Sequence, residues 1–137
     1  EPQAWRAAEY ERNMSFPENL IYKSEGGILT RSKAEADIAT KLEQYGLMFR
    51  YDEVIWVGER KVSPDFSILH TAERRVKYWE HFGRMDSPEY AVKAMDKLCN
   101  YAHNGINMGD NLIVTWECRT RPLSFGQINA CIEQYLL

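Results

Sequence analysis

Several things are scarce in this chain of 137 residues. No apolar run approaches the ~18 residues that a membrane-crossing helix needs, and a mean hydropathy of -0.51 excludes a helical membrane span. The first residues lack the basic-then-apolar order of a secretion signal. Cysteine is sparse too. Cys99, Cys118 and Cys131 form no C-x-x-C pair, and an odd trio argues against a disulfide framework, so a reducing, cytoplasmic setting is expected. There is no Gly-rich phosphate loop, no G-x-S-x-G elbow and no Cys/His nucleophile arrangement. Positive charge is also short. A net charge of -3 and a pI near 5.7 do not suit a protein whose whole surface grips nucleic acid, because neutralising phosphates takes clustered Lys and Arg. Any polyanion site must be local, and basic residues gather at Arg60-Lys61, at Arg74-Arg75-Lys77 and at Arg119-Arg121. An opening Glu1 in place of Met is what a processed or excised segment would show.

What is present suffices for a core. Hydrophobic residues make up 45% of the chain and aromatics 12%, enough for one globular domain over 1–137. "QAWRAAEYER" favours a helix, and "NLIYKS" a short strand that "EGG" ends. Ser32 opens a helix closed by Gly46, with Ala34, Ile38, Leu42 and Tyr45 as its apolar stripe. "LMFRYDEVIWV", Lys61 to His70 and Arg75 to Phe82 read as three strands, the last two joined by a turn over 71–74. Ser87-Pro88 starts a helix to about His103, "NLIVTWE" suits a buried strand, and "SFGQINACIEQYLL" forms a closing helix. The expected class is α/β, a central mixed sheet of about four strands flanked by helices.

Within this order two acids stand out. Pairing Lys61–His70 with Arg75–Phe82 around the turn puts Asp65 opposite Glu80, Ser67 opposite Tyr78 and Leu69 opposite Val76. The reverse face pairs Phe66 with Trp79 and Ile68 with Lys77. Two carboxylates about 5 Å apart at Cβ are destabilising. At an effective dielectric near 20 they repel by roughly 3 kcal/mol if both ionise. Three offsets are open: a divalent cation, a shared proton, or a basic side chain reaching in. Hard cations such as Mg²⁺ take oxygen ligands and commonly use one or two carboxylates plus waters and a substrate phosphate.

Pro64-Asp65, a turn, then Glu80 in "YWEHFG", with a Glu35-bearing helix before and a long helix after, resembles the PD-(D/E)xK nuclease superfamily. The likeness runs from about Ser32 to Leu136, making 32–137 a restriction-endonuclease-like core and 1–31 an N-terminal extension. It implies a metal-dependent nuclease that hydrolyses phosphodiester bonds of nucleic acid, DNA ahead of RNA, with Mg²⁺ or Mn²⁺ held by Asp65 and Glu80 and by the His81 backbone carbonyl. Glu35 would be a metal-associated acid of the first helix. Ser32-x-x-Glu35 is equally a capping box, and one carboxylate cannot fully serve both. The chain departs from the family at position 82, where Phe stands in place of the expected lysine. Lys97 on the following helix is the replacement, flanked by Tyr90 and Tyr101, with Lys93 as fallback. "KLCNY" is similar to the Gln-x-x-x-Tyr helix signature of RecB-type nucleases, with Lys for Gln. Ala91, Ala94, Met95, Leu98 and Ala102 would form that helix's apolar face, and Tyr101 would hold the lysine or the phosphate. Because fold does not dictate activity, an inactive nuclease-fold module for nucleic-acid or protein interaction is the alternative.

Two further readings are structural. Cys99 and His103 stand at i, i+4 without two more ligands in view. His70, at a strand end beside a basic turn, should be exposed.

Overall fold

A computed structural model describes residues 1–137. Helix α1 (Pro2–Ala7) is capped by the Glu1 carboxylate, and a 3-10 turn (Pro17–Asn19) leads to a small hairpin, β1 (Tyr22–Lys23) with β2 (Leu29–Thr30). Ser32 caps α2 (Lys33–Gln44), whose buried Ala34, Ala36, Ile38, Ala39 and Leu42 are mostly small and let the helix lie close on the sheet.

The sheet strands come next. β3 (Phe49–Tyr51), β6 (Phe66–His70), β7 (Arg75–Phe82) and β8 (Leu112–Trp116) make one four-stranded mixed sheet in the order β3-β6-β7-β8, antiparallel except for the parallel β7–β8 pair. Helix α3 (Pro88–His103) is the crossover that a parallel pair requires, and α4 (Phe125–Tyr135) closes the chain. The mixed α/β architecture with about four sheet strands is therefore as expected. No helix is long and apolar enough to cross a membrane.

Two expected strands break. "LMFRYDEVIWV" turns at Asp52, whose φ of 60° is left-handed, and Lys61–His70 is interrupted at Ser63-Pro64-Asp65. The freed pieces, β4 (Ile55–Val57) and β5 (Arg60–Val62), pair with each other as a separate hairpin. It stands over α3: Asn100 Nδ2 donates to the Val57 carbonyl at 3.4 Å, and Val57 packs with Tyr101 and Leu112.

Sheet alternation decides what each face does. Phe66, Ile68, Trp79 and Ile113 point to α2 and α4 and join the main apolar core with Ile38, Leu42, Ile128 and Ile132. Fully burying side chains of this size is worth about 2–3 kcal/mol each. Lys77 is on this face too, yet it is only 5% exposed. Its Nζ donates to Glu73 Oε2 at 2.7 Å and to the Tyr135 carbonyl at 2.9 Å, capping the C-terminal end of α4. The opposite face carries Tyr78, Glu80 and Phe82, and α3 covers it.

Candidate functional site

The β6–β7 register is Phe66 with Trp79, Ser67 with Tyr78, Ile68 with Lys77 and Leu69 with Val76, as the sequence predicts. One step further along, Asp65 and Glu80 meet. The Asp65 amide donates to Glu80 Oε1 at 3.1 Å, and the His81 amide donates to Asp65 Oδ2 at 2.7 Å. Each acid is thus held by the other strand's backbone. Pro64 explains part of this geometry: it follows β5's run and has no N–H for a ladder, so Asp65 sits just ahead of β6 at the sheet's end.

Helix α3 supplies the counter-charge. Lys97 Nζ lies 2.7 Å from Glu80 Oε2 and donates to the Ser63 carbonyl at 3.3 Å. Tyr101, one turn on, donates its hydroxyl to Glu80 Oε1 at 3.2 Å. Tyr101, expected to hold the lysine or the phosphate, is wholly buried and fixes Glu80, the acid that pairs with Lys97. That choice rotates α3 from its expected seat. Ala94, Leu98 and Tyr101 face the sheet, while Met95 is 57% exposed and Ala102 is exposed, because satisfying buried Glu80 outweighs covering one methionine.

Glu80 is 2% exposed, whereas Asp65 is only part-buried and opens on a cleft of about 230 Å³ lined also by His81, Phe82, Tyr90, Lys93, Ala94 and Lys97. Burial pushes the Asp65 carboxyl well above the usual range. The charges of Glu80 and Glu35 add to this, and Lys97 only partly opposes it. Burial likewise raises Glu80 against the pull of Lys97. For Lys97 the desolvation that disfavours its ammonium is outweighed by Glu80 and Asp65, and its pKa ends above the usual lysine value. The lysine is locked in its charged form, and one ammonium is left facing two acids.

His81 divides its roles. Its ring points to the other face: Nδ1 meets Thr115 Oγ1 at 2.8 Å and Nε2 meets Glu117 Oε1 at 3.0 Å, while Trp79 Nε1 donates to the same threonine at 3.0 Å. With Glu117 as a pure acceptor, Nε2 carries the proton. In a strand one residue's N–H and C=O share an edge, so the His81 carbonyl faces the Asp65 side.

Glu35 is held apart from the pair. Its Oε1 accepts the Tyr51 hydroxyl at 2.6 Å and its Oε2 the Ser32 hydroxyl at 2.7 Å, while Ser32 Oγ accepts the Glu35 amide at 3.1 Å. The helix is capped, but the carboxylate takes two hydroxyls in place of the Ser32 amide. Glu35 does not line the cleft and reaches Asp65 only through its charge. Tyr51 is the residue that sequence reasoning missed. Its signal was the strand alternation that sets it opposite Phe66.

No three His, Cys, Asp or Glu side chains converge into a ready cage, and Cys99 and His103 stay exposed on α3. A hard divalent cation needs only one or two carboxylates when waters fill its remaining positions. The donor set meets that minimum. Asp65 Oδ1 takes no hydrogen bond from the protein, and Lys97 is the one cation within ion-pair distance of either acid. His70, expected to be exposed, is 5% exposed and closes the β6–β7 turn by accepting the Glu73 amide at Nδ1, 3.1 Å away.

Compared with known proteins, the chain matches no family model, no curated protein and no solved structure.

Proposed function

We propose that the chain is a divalent-metal-dependent nuclease with a restriction-endonuclease-like core, hydrolysing phosphodiester bonds of nucleic acid. The observation that carries this reading is the meeting of Asp65, Glu80 and Lys97 at one cleft, two acids from adjacent strands with an ammonium that stays charged.

Asp65, through Oδ1, and Glu80 would hold Mg²⁺ or Mn²⁺, joined by the His81 carbonyl. The chemistry such an ion supplies when bound is polarisation of a phosphate oxygen and a lowered pKa for water. The chain's own part is positional and electrostatic. The His81 amide pins Asp65 Oδ2, which leaves Oδ1 for an incoming ligand. Tyr101 and the Asp65 amide fix Glu80 Oε1, and Glu80 Oε2 in turn aims Lys97. A lysine kept protonated by two acids is a poor general base and a good stabiliser of charge developing on phosphoryl oxygens. Lys97 therefore takes the second role. Lys93, on the same cleft wall, provides a further cation for the incoming phosphate.

The Lys97–Glu80 ion pair also favours one other reading, an inactive nuclease-fold module that binds nucleic acid or protein, since a buried Glu80 already paired with an ammonium has its charge answered without a metal ion. A cleavage panel of circular and linear DNA and RNA with Mn²⁺, run on wild type, Asp65→Ala, Glu80→Ala and Lys97→Ala, separates the two. The nuclease reading predicts metal-dependent cleavage that the acid variants abolish and the lysine variant slows about 10²- to 10³-fold, the usual loss for one electrostatic stabiliser. Nucleic-acid binding without cleavage by any form would favour the module, and cleavage untouched by all three changes would end both assignments.

A further inference from the structure

Lys97 lines a second, larger depression. A groove of about 670 Å³ begins at this lysine and is walled by Arg12 and Asn13 of the N-terminal segment, by Arg60, Lys61 and Ser63 from β5 and its exit, and by Asn100 of α3. It meets the acid cleft at Lys97, the one residue common to both. Its lining carries four cationic side chains, those of Arg12, Arg60, Lys61 and Lys97, against two anionic ones, Glu11 and Asp96, on a protein whose net charge is -3. The ion pairs across it are open and solvent-facing. Lys61 lies 3.6 Å from Glu11, and Arg60 lies 2.9 Å from Asp96, with every partner more than half exposed. Such pairs are worth little and yield readily to phosphate. Trp56, outside the lining itself, is 64% exposed and pairs across the hairpin with the lining residue Lys61, whose Nζ lies 5.7 Å from its ring centroid.

We propose that this groove binds single-stranded nucleic acid, leading one strand to the acid cleft, with Arg12 and Lys61 on phosphates and Trp56 stacking a base. A cationic channel with an aromatic platform is how single strands are held without sequence readout. The rival surface, at the end of β8, has exposed Arg84, Arg119 and Trp116. Asp86 and Glu117 line the same depression there, and Lys97 does not reach it. The inference rests on the nuclease reading for what the strand is delivered to, but its test does not require cleavage.

The test is fluorescence anisotropy with labelled single-stranded and duplex oligonucleotides of one sequence in EDTA, on wild type, Arg12→Glu, Lys61→Glu, Lys61→Gln, Trp56→Ala and Arg119→Glu, each checked for a native thermal melt. The single strand should bind more tightly than the duplex. Each reversal at Arg12 or Lys61 should cost about tenfold and flatten the log–log salt dependence by about 0.7 per lost contact. Lys61→Gln should cost less than the reversal, Trp56→Ala should weaken binding, and Arg119→Glu should leave it unchanged. Loss of binding through Arg119→Glu alone, a preference for duplex, or binding indifferent to the groove variants would overturn the proposal. In the last case metal-dependent cleavage lost in Asp65→Ala would leave the nuclease reading standing. Groove-dependent binding without cleavage would instead remove the nuclease reading and keep the groove.

Discussion

At the scale of single residues the site is an imbalance of charge. Two acids with pKa values raised mainly by burial share one ammonium, so part of the repulsion is left in the fold. The sign of the pH effect follows. A carboxyl whose pKa is raised on folding binds more protons in the native state. In EDTA the wild-type protein should therefore gain stability as the pH falls from neutral towards the unfolded carboxylate values, and lose it as the pH rises through the raised values. Asp65→Asn should raise the metal-free melting temperature at pH 7.5 by about 3–6 °C, the shift that about 1–2 kcal/mol gives in a chain of this size, and should erase most of the pH slope. Thermal melts from pH 5 to pH 8 check both statements; an Asn variant less stable than wild type at pH 7.5 would contradict them. Lys97 predicts the reverse sign. Lys97→Met leaves Glu80 Oε2 buried without its cation and should cost about 2–4 kcal/mol in urea denaturation. Adding Glu80→Gln should recover most of that loss, because the uncompensated charge goes with it.

At the scale of elements, what was legible in the sequence was what local periodicity encodes. The β6–β7 register could be read because Phe66 and Trp79 alternate with polar neighbours, so that a one-residue slip would turn the core outward. The start of α3 could be read from Ser87-Pro88. The β4–β5 hairpin could not, because "EVIWV" continues the apolar run of β3, and the break at Asp52 depends on a left-handed backbone that no neighbouring residue announces. The seat of α3 was misread for a different reason. Hydrophobicity favours Met95 inside, but the helix answers to buried Glu80 on the preceding strand, which no periodicity within the helix encodes. Gly58 at the hairpin tip gives this element a test. Its φ is +61°, and a Cβ there would meet the Asn104 side chain at 2.6 Å. Gly58→Ala should cost about 1–2 kcal/mol and loosen the hairpin from α3, read as faster amide exchange at Val57 and Arg60 while β7 stays protected.

At the scale of the whole molecule, stability and chemistry occupy opposite faces of one sheet. The α2–α4 face carries the main core around Phe66 and Trp79, while the α3 face carries a small apolar cluster and the polar residues of the cleft. This division lets the fold tolerate a site that repels itself. The parts of the site were legible to different degrees: Asp65 and Glu80 follow from the register of one hairpin, Lys97, Tyr101 and Glu35 were reached through the family resemblance, and Tyr51, on another strand, was not reached at all. The metal site at Asp65 and Glu80 is tested most directly by calorimetric titration of Mn²⁺ into wild type and Asp65→Asn at two pH values in buffers of different ionisation enthalpy. Wild type should show one site, with proton release on binding that grows at the lower pH because the acids start partly protonated, and the variant should show no binding. Mn²⁺ that binds both proteins alike, or neither at millimolar concentration, would contradict it.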